Sequence, residues 1–152
     1  MKTFKTLAEF RGQLGQEIGV SPWETISQAQ INAFADATGD HQWIHIDQEK
    51  AAQFSPFKTT IAHGFLTLSL APKLMAELYK VESVKMGVNY GANKVRFTAP
   101  VPAGRRVRMR MTLKEVEDQA PNGVRATAEC VFELEGSDKP ACVAELITLL
   151  FE

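Results

Sequence analysis

Cysteine is scarce in this chain: its 152 residues include two, Cys130 and Cys142. Two thiols cannot form a disulfide scaffold or a four-cysteine metal site. Both stand in apolar C-terminal segments, where a reduced buried thiol is expected rather than a nucleophile. No apolar run approaches the length needed to cross a bilayer. The N-terminal MKTFKTLAEFRGQLGQEIG has neither the apolar stretch nor the small-residue cleavage site of a secretion signal. An excess of one charge is missing too. Seventeen Lys and Arg against eighteen Asp and Glu leave a net charge of −1, which argues against a nucleic-acid coat. Among three histidines there is no HExxH and no accompanying paired-cysteine motif, so no metal is expected. With 45% hydrophobic residues the chain is expected to be globular rather than disordered. Its length suits one domain over 1–152, and the expected location is the cytoplasm.

Helical signals come first. Ser27-Gln28-Ala29-Gln30 reads as a capping box, with Ile31, Phe34 and Ala35 at helical spacing behind it and Thr38-Gly39 as the stop. Asp47 is placed to cap a short helix through Gln53, followed by a loop around Pro56. Gly64 to Tyr79 is apolar nearly all round, which marks a buried helix, and Pro72 inside it should kink it. After Lys80 the period changes to alternation. Val95, Phe97 and Ala99 point one way, as do Val107, Met109, Met111 and Leu113, then Val124, Ala126, Ala128, Cys130, Phe132 and Leu134. Residues 141–151, apolar on both faces, read as a central strand. Turns fall at Pro100–Gly104, Pro121–Gly123 and Gly136–Pro140. Helices first and an antiparallel meander second predict an α+β domain with one long helix against a curved sheet.

Chemistry concentrates in two places. In Gly39-Asp40-His41-Gln42-Trp43-Ile44-His45, the residues Asp40 and His45 would lie about 140° apart on a continuous helix and on opposite faces of a strand. Gly39, however, ends the preceding helix, so the segment is an irregular turn. Trp43 and Ile44 are expected to enter the core and pin it. A carboxylate and an imidazole brought together in this way can share a water, one taking a proton while the other orients it. A purely structural Asp–His pair fits the spacing equally well. The second place is Ile61-Ala62-His63-Gly64. A glycine opening a helix lets a carbonyl approach unpaired N–H groups, as an oxyanion site requires. His63 alone reads more naturally as a structural histidine. Thr67 and Ser69 offer hydroxyls farther along the same helix, with no role assigned. Arginines alternating with apolar residues from Arg105 to Arg110 read as a solvated sheet face, with a specific anion site as the other possibility.

In combination, Gly39-Asp40-His41-Gln42-Trp43-Ile44-His45, Ala62-His63-Gly64, Asn93-Lys94-Val95-Arg96-Phe97 and Pro100-Val101-Pro102-Ala103-Gly104 resemble the MaoC-like hydratase family, the (R)-specific enoyl-CoA hydratases. The resemblance runs from about Gly19 to the C-terminus. Where that family usually reads Gly-Asp-x-Asn-Pro-x-His, Gln42 and Trp43 stand here, which resembles a subgroup related to nodulation protein N. The resemblance implies a hotdog fold, a homodimer, and reversible addition of water to a trans-2-enoyl-CoA to give (R)-3-hydroxyacyl-CoA. It also implies Asp40 and His45 as the catalytic pair and the Gly64 N–H as the oxyanion donor. His63, Trp43 and Phe65 are then expected at the acyl group, and Lys94, Arg96 and Arg105 at the CoA phosphates. Trp43 and Phe65 could equally be core. No cofactor is expected, the CoA thioester being the substrate, and no nucleic-acid or membrane partner. A hotdog thioesterase and a non-catalytic acyl-CoA-binding module are the alternatives.

Overall fold

A computed structural model describes residues 1–152. The elements in chain order are β1 (Lys2–Phe4), α1 (Leu7–Arg11), β2 (Glu17–Val20), β3 (Glu24–Thr25), α2 (Gln28–Thr38), α3 (Trp43–Ile46) and α4 (Gln48–Phe54). They continue with α5 (Gly64–Ser69), α6 (Ala71–Leu78), β4 (Tyr79–Val81), β5 (Met86–Phe97), β6 (Arg106–Gln119), β7 (Gly123–Leu134) and β8 (Cys142–Phe151). The main sheet has six strands in the order β2-β6-β7-β8-β5, with β3 also on β6, and all its pairings are antiparallel. β1 and β4 form a separate parallel pair.

The alternation of the long strands sets which face meets the helices. Val107, Met109, Met111 and Leu113 of β6 are buried, as are Val124, Ala126, Ala128, Cys130, Phe132 and Leu134 of β7. Outward on β6, Arg106 pairs with Glu135, Arg108 with Glu133, and Arg110 with both Glu133 and Glu17. This is the solvated face expected of the arginine alternation. Register shifts at Leu113/Glu115 in β6 and at two places in β5 mark irregularities in the ladder where the sheet can bend. The concave side receives α5 and α6. One core of 29 buried residues runs from Phe4 to Leu150, so both ends of the chain join it.

The structure corrects three expectations. The single helix from Gly64 to Tyr79 is two, joined at Leu70. Pro72 stands in the first turn of α6, where a missing N–H removes no intrahelical bond, and Tyr79 already belongs to β4. Nor is the segment buried all round, since Phe65 is 66% exposed. The strand before Pro100 begins at Met86, well ahead of the visible alternation. It is an edge strand bonded to β8 alone and exposed over nearly its whole length, so no buried face imposes a period on its sequence. Finally, Trp43 and Ile44 are only half-buried, and the residue of that turn that enters the interior is His45.

Candidate active site

The pair is placed by caps. Ser27 accepts a hydrogen bond from the Gln30 N–H at 3.1 Å and starts α2; Gly39, at φ 83°, ends it with its N–H on the Ala35 carbonyl at 2.8 Å. The left-handed conformation at Gly39 throws the chain off the helix axis, and Asp40 follows. The Asp40 carboxylate accepts from the Gln42 N–H at 3.3 Å, an Asx-type turn that leads into the single turn of α3.

His45 on α3 is held from two sides. Its Nδ1–H donates to the Ile61 carbonyl at 2.7 Å, while its own carbonyl accepts from Gln28 Nε2 at 2.8 Å. Gln28 in turn accepts from the buried Thr60 hydroxyl. The segment carrying Thr60 to Ala62 is stitched between α3 and the Pro100–Gly104 turn by three backbone bonds. These run from Ile61 N–H to the Ile44 carbonyl, Ala62 N–H to that of Val101, and Ala103 N–H to that of Thr60. His45 therefore reaches Gly64 through a rigid connection. With Nδ1 donating, Nε2 carries the free lone pair and is the proton acceptor.

His63 packs beneath this arrangement. Its ring stacks on that of His45 with centroids 3.9 Å apart and an interplanar angle of 24°, and Phe34 closes the other side at 4.9 Å. His63 Nε2–H donates to the Asp40 carbonyl at 3.0 Å and lies 3.9 Å from its carboxylate. The residue is 3% exposed and its Nδ1 is buried without a partner. His63, expected at the substrate, thus lies buried under the pair and outside the cavity lining. Side-chain atoms of Asp40, His45 and His63 lie within 4.8 Å of one another, a residue set also able to hold a metal ion. Imidazoles bind metals along in-plane lone pairs, and two stacked rings direct theirs side by side rather than at one point.

A cavity of about 290 Å³ opens beside His45, lined among others by Phe57, Ile61, Gly64, Thr67, Phe97 and Val101. Gly64 is the first residue of α5, and neither its N–H nor that of Phe65 meets an acceptor in the protein. The need for glycine here has a cause the sequence did not reveal. A Cβ at residue 64 would fall 2.7 Å from the ring of Phe97, so the missing side chain makes room for that aromatic. Phe65 meets Phe97 edge to face at 5.4 Å but does not line the cavity.

The remaining expected contacts are more dispersed. Trp43 lies outside the cavity lining, with the Lys50 ammonium 5.1 Å from its ring centroid. Lys94 and Arg96 are exposed on β5, Lys94 lying 3.6 Å from Glu145 and Arg96 bonded to the Val95 carbonyl. Arg105 is exposed outside the cavity lining and donates to the Glu135 carbonyl at 2.7 Å. Gln28, Phe57 and Phe97 were not singled out as site residues, because each matters there only through a neighbour brought up by the fold. Burial pushes the Cys130 thiol up to about 12 and that of Cys142 to about 11, which disfavours the reactive thiolate in both.

An antiparallel sheet curved around a helical core is the hotdog fold, here the fold of a hydratase–dehydratase family of hydro-lyases. The chain belongs to the MaoC-like domain family, whose model matches residues 9–131. It is 55% identical over 147 residues to 3-hydroxyacyl-thioester dehydratase Z of Mycobacterium tuberculosis, covering 97% of each chain. It is 44% identical to nodulation protein N of Rhizobium leguminosarum bv. viciae, covering 95% of this chain and 91% of that one. In fold it is similar to the unliganded R-hydratase of Pseudomonas aeruginosa, with a TM-score of 0.73 at 24% identity, covering 97% of this chain and 86% of that one.

Proposed function

We propose that this protein is an (R)-specific enoyl-CoA hydratase, adding water reversibly to trans-2-enoyl-CoA to give (R)-3-hydroxyacyl-CoA. The observation that carries this reading is the meeting of the Asp40 carboxylate and the His45 ring, its Nε2 free, with His45 lining one cavity together with Gly64, whose N–H has no partner. Water held by Asp40 loses a proton to His45 Nε2 as its oxygen bonds to the β carbon. The electron pair of the double bond moves toward the thioester, and the Gly64 N–H receives the charge developing on the carbonyl oxygen. A proton returned by the pair to the α carbon completes the addition, so the elements of one water are gained. Acid–base help of this kind contributes about 10²–10⁴-fold. The chemistry asks for no cofactor, and we place the enzyme in the cytoplasm as one functional unit.

Exposed Lys94 and Arg96 on β5 are the cations we assign to the CoA phosphates. The same strand supports a homodimer. It is a 12-residue edge with exposed Met86, Val88, Tyr90 and Phe97, and an unpaired edge of that length is a template for a second copy.

Crotonyl-CoA distinguishes the candidate activities. Hydration removes the enoyl absorbance without releasing thiol, and chiral analysis should return the (R) product. Release of CoA thiol would instead mean a thioesterase, and binding without turnover a carrier module. Asp40→Asn and His45→Gln should each lower kcat by about 10² or more with little effect on folding. Near-normal rates in both would refute the assignment.

A further inference from the structure

Thr67 stands out among the cavity residues. It lies in α5, is 2% exposed, and lines the cavity together with His45 and Gly64. Its hydroxyl has no hydrogen-bond partner in the protein. Helical Ser and Thr normally donate to a carbonyl one turn back, as Thr38 does to Phe34 at 2.8 Å and Ser69 to Leu66 at 2.8 Å. For Thr67 the carbonyl one turn back is that of His63, and it accepts the Leu66 and Thr67 N–H groups instead. The other fully buried threonine, Thr60, is bonded to Gln28. Thr67 alone of these hydroxyls is left without a partner, and it faces a cavity whose wall is otherwise largely apolar.

Helix geometry says where that hydroxyl reaches. Residues three apart share one face, and side chains lean back toward the helix N-terminus, so residue 67 covers the surface over residue 64. Gly64 contributes no side chain there, and its N–H is unpaired. Resting on the hydratase reading above, we propose that Thr67 is a second catalytic donor to the thioester oxygen, acting beside the Gly64 N–H. The hydroxyl keeps its proton throughout. It hydrogen-bonds weakly to the neutral carbonyl and more strongly to the enolate-like oxygen, so it acts on the transition state more than on binding.

The orphaned hydroxyl makes the test clean, because Thr67→Val keeps the shape and removes no bond within the folded protein. With crotonyl-CoA, Thr67→Val should lose about 10–10²-fold in kcat with KM within about threefold and an unchanged Tm. Thr67→Ser should keep most of the rate. A normal kcat in Thr67→Val, an effect on KM alone, or equal losses in the Val and Ser variants would each overturn the role. If the wild-type protein does not hydrate the substrate, the functional reading falls and Thr67 with it. A wild-type rate kept by Thr67→Val while Asp40→Asn is inactive removes Thr67 alone.

Discussion

At the residue scale, the site depends on side chains that never touch the reacting atoms. Gln28 accepts the Thr60 hydroxyl and donates to the His45 carbonyl, tying α2 to α3. Replacing Gln28 with Leu should let α3 shift, and a misplacement near 1 Å can cost about 10² in rate. Steady-state kinetics should show the loss in kcat rather than KM. Gly64 makes a different prediction. Because a methyl there would strike the Phe97 ring at 2.7 Å, Gly64→Ala should lose turnover mainly by displacing that ring. In a Phe97→Ala background the penalty of Gly64→Ala should shrink, and a double-mutant cycle on kcat measures the coupling.

At the element scale, β6 and β7 are cross-braced on their solvent face. Burial pushes the Glu133 carboxyl upward, but hydrogen bonds from Arg108 and Arg110 outweigh it and hold the group below its ordinary 4.5. A carboxylate depressed in the folded state contributes stability that is complete above the ordinary value and lost as pH falls through the folded value. Glu133→Gln should thus be destabilised by about 1 kcal/mol near neutral pH, since partly exposed pairs are worth little. The gap between wild type and variant should narrow as pH falls below 4.5 and close once it has passed through the depressed folded value, as urea unfolding across pH would show. Much at this scale was legible in the sequence. The Ser27 cap, the Gly39 stop, the Asp47 cap and the alternation of β6 and β7 are local signals, and each appears where the residues indicated. The break at Leu70 and the start of β5 at Met86 were not legible, because packing against other elements decides both.

At the scale of the whole molecule, no helix is long and apolar enough to cross a membrane. The exposed surface of interest is instead the β5 edge. A dimer closed by two such edges should be broken by charge on its apolar positions. Val88→Glu together with Tyr90→Glu should shift sedimentation equilibrium from dimer to monomer, since like charges then face each other across the seam. Lost activity in that monomer would show that the partner helps to form the site, while unchanged activity would make each copy sufficient.

The resemblance of their motifs to the MaoC-like family singled out Asp40, His45 and Gly64 as a set, and local chemistry, namely caps, turn residues and hydrophobic period, determined from the sequence alone the α+β class and the arginine face. These depend on neighbours a few residues away along the chain. The tertiary structure alone decided that His63 lies under His45 rather than facing a substrate, that Phe97 fills the space at Gly64, and that Thr67 has an unpaired hydroxyl. The first two are contacts between segments far apart in sequence, and the third is a helix hydroxyl whose local acceptor is taken by backbone N–H groups; no periodicity records either.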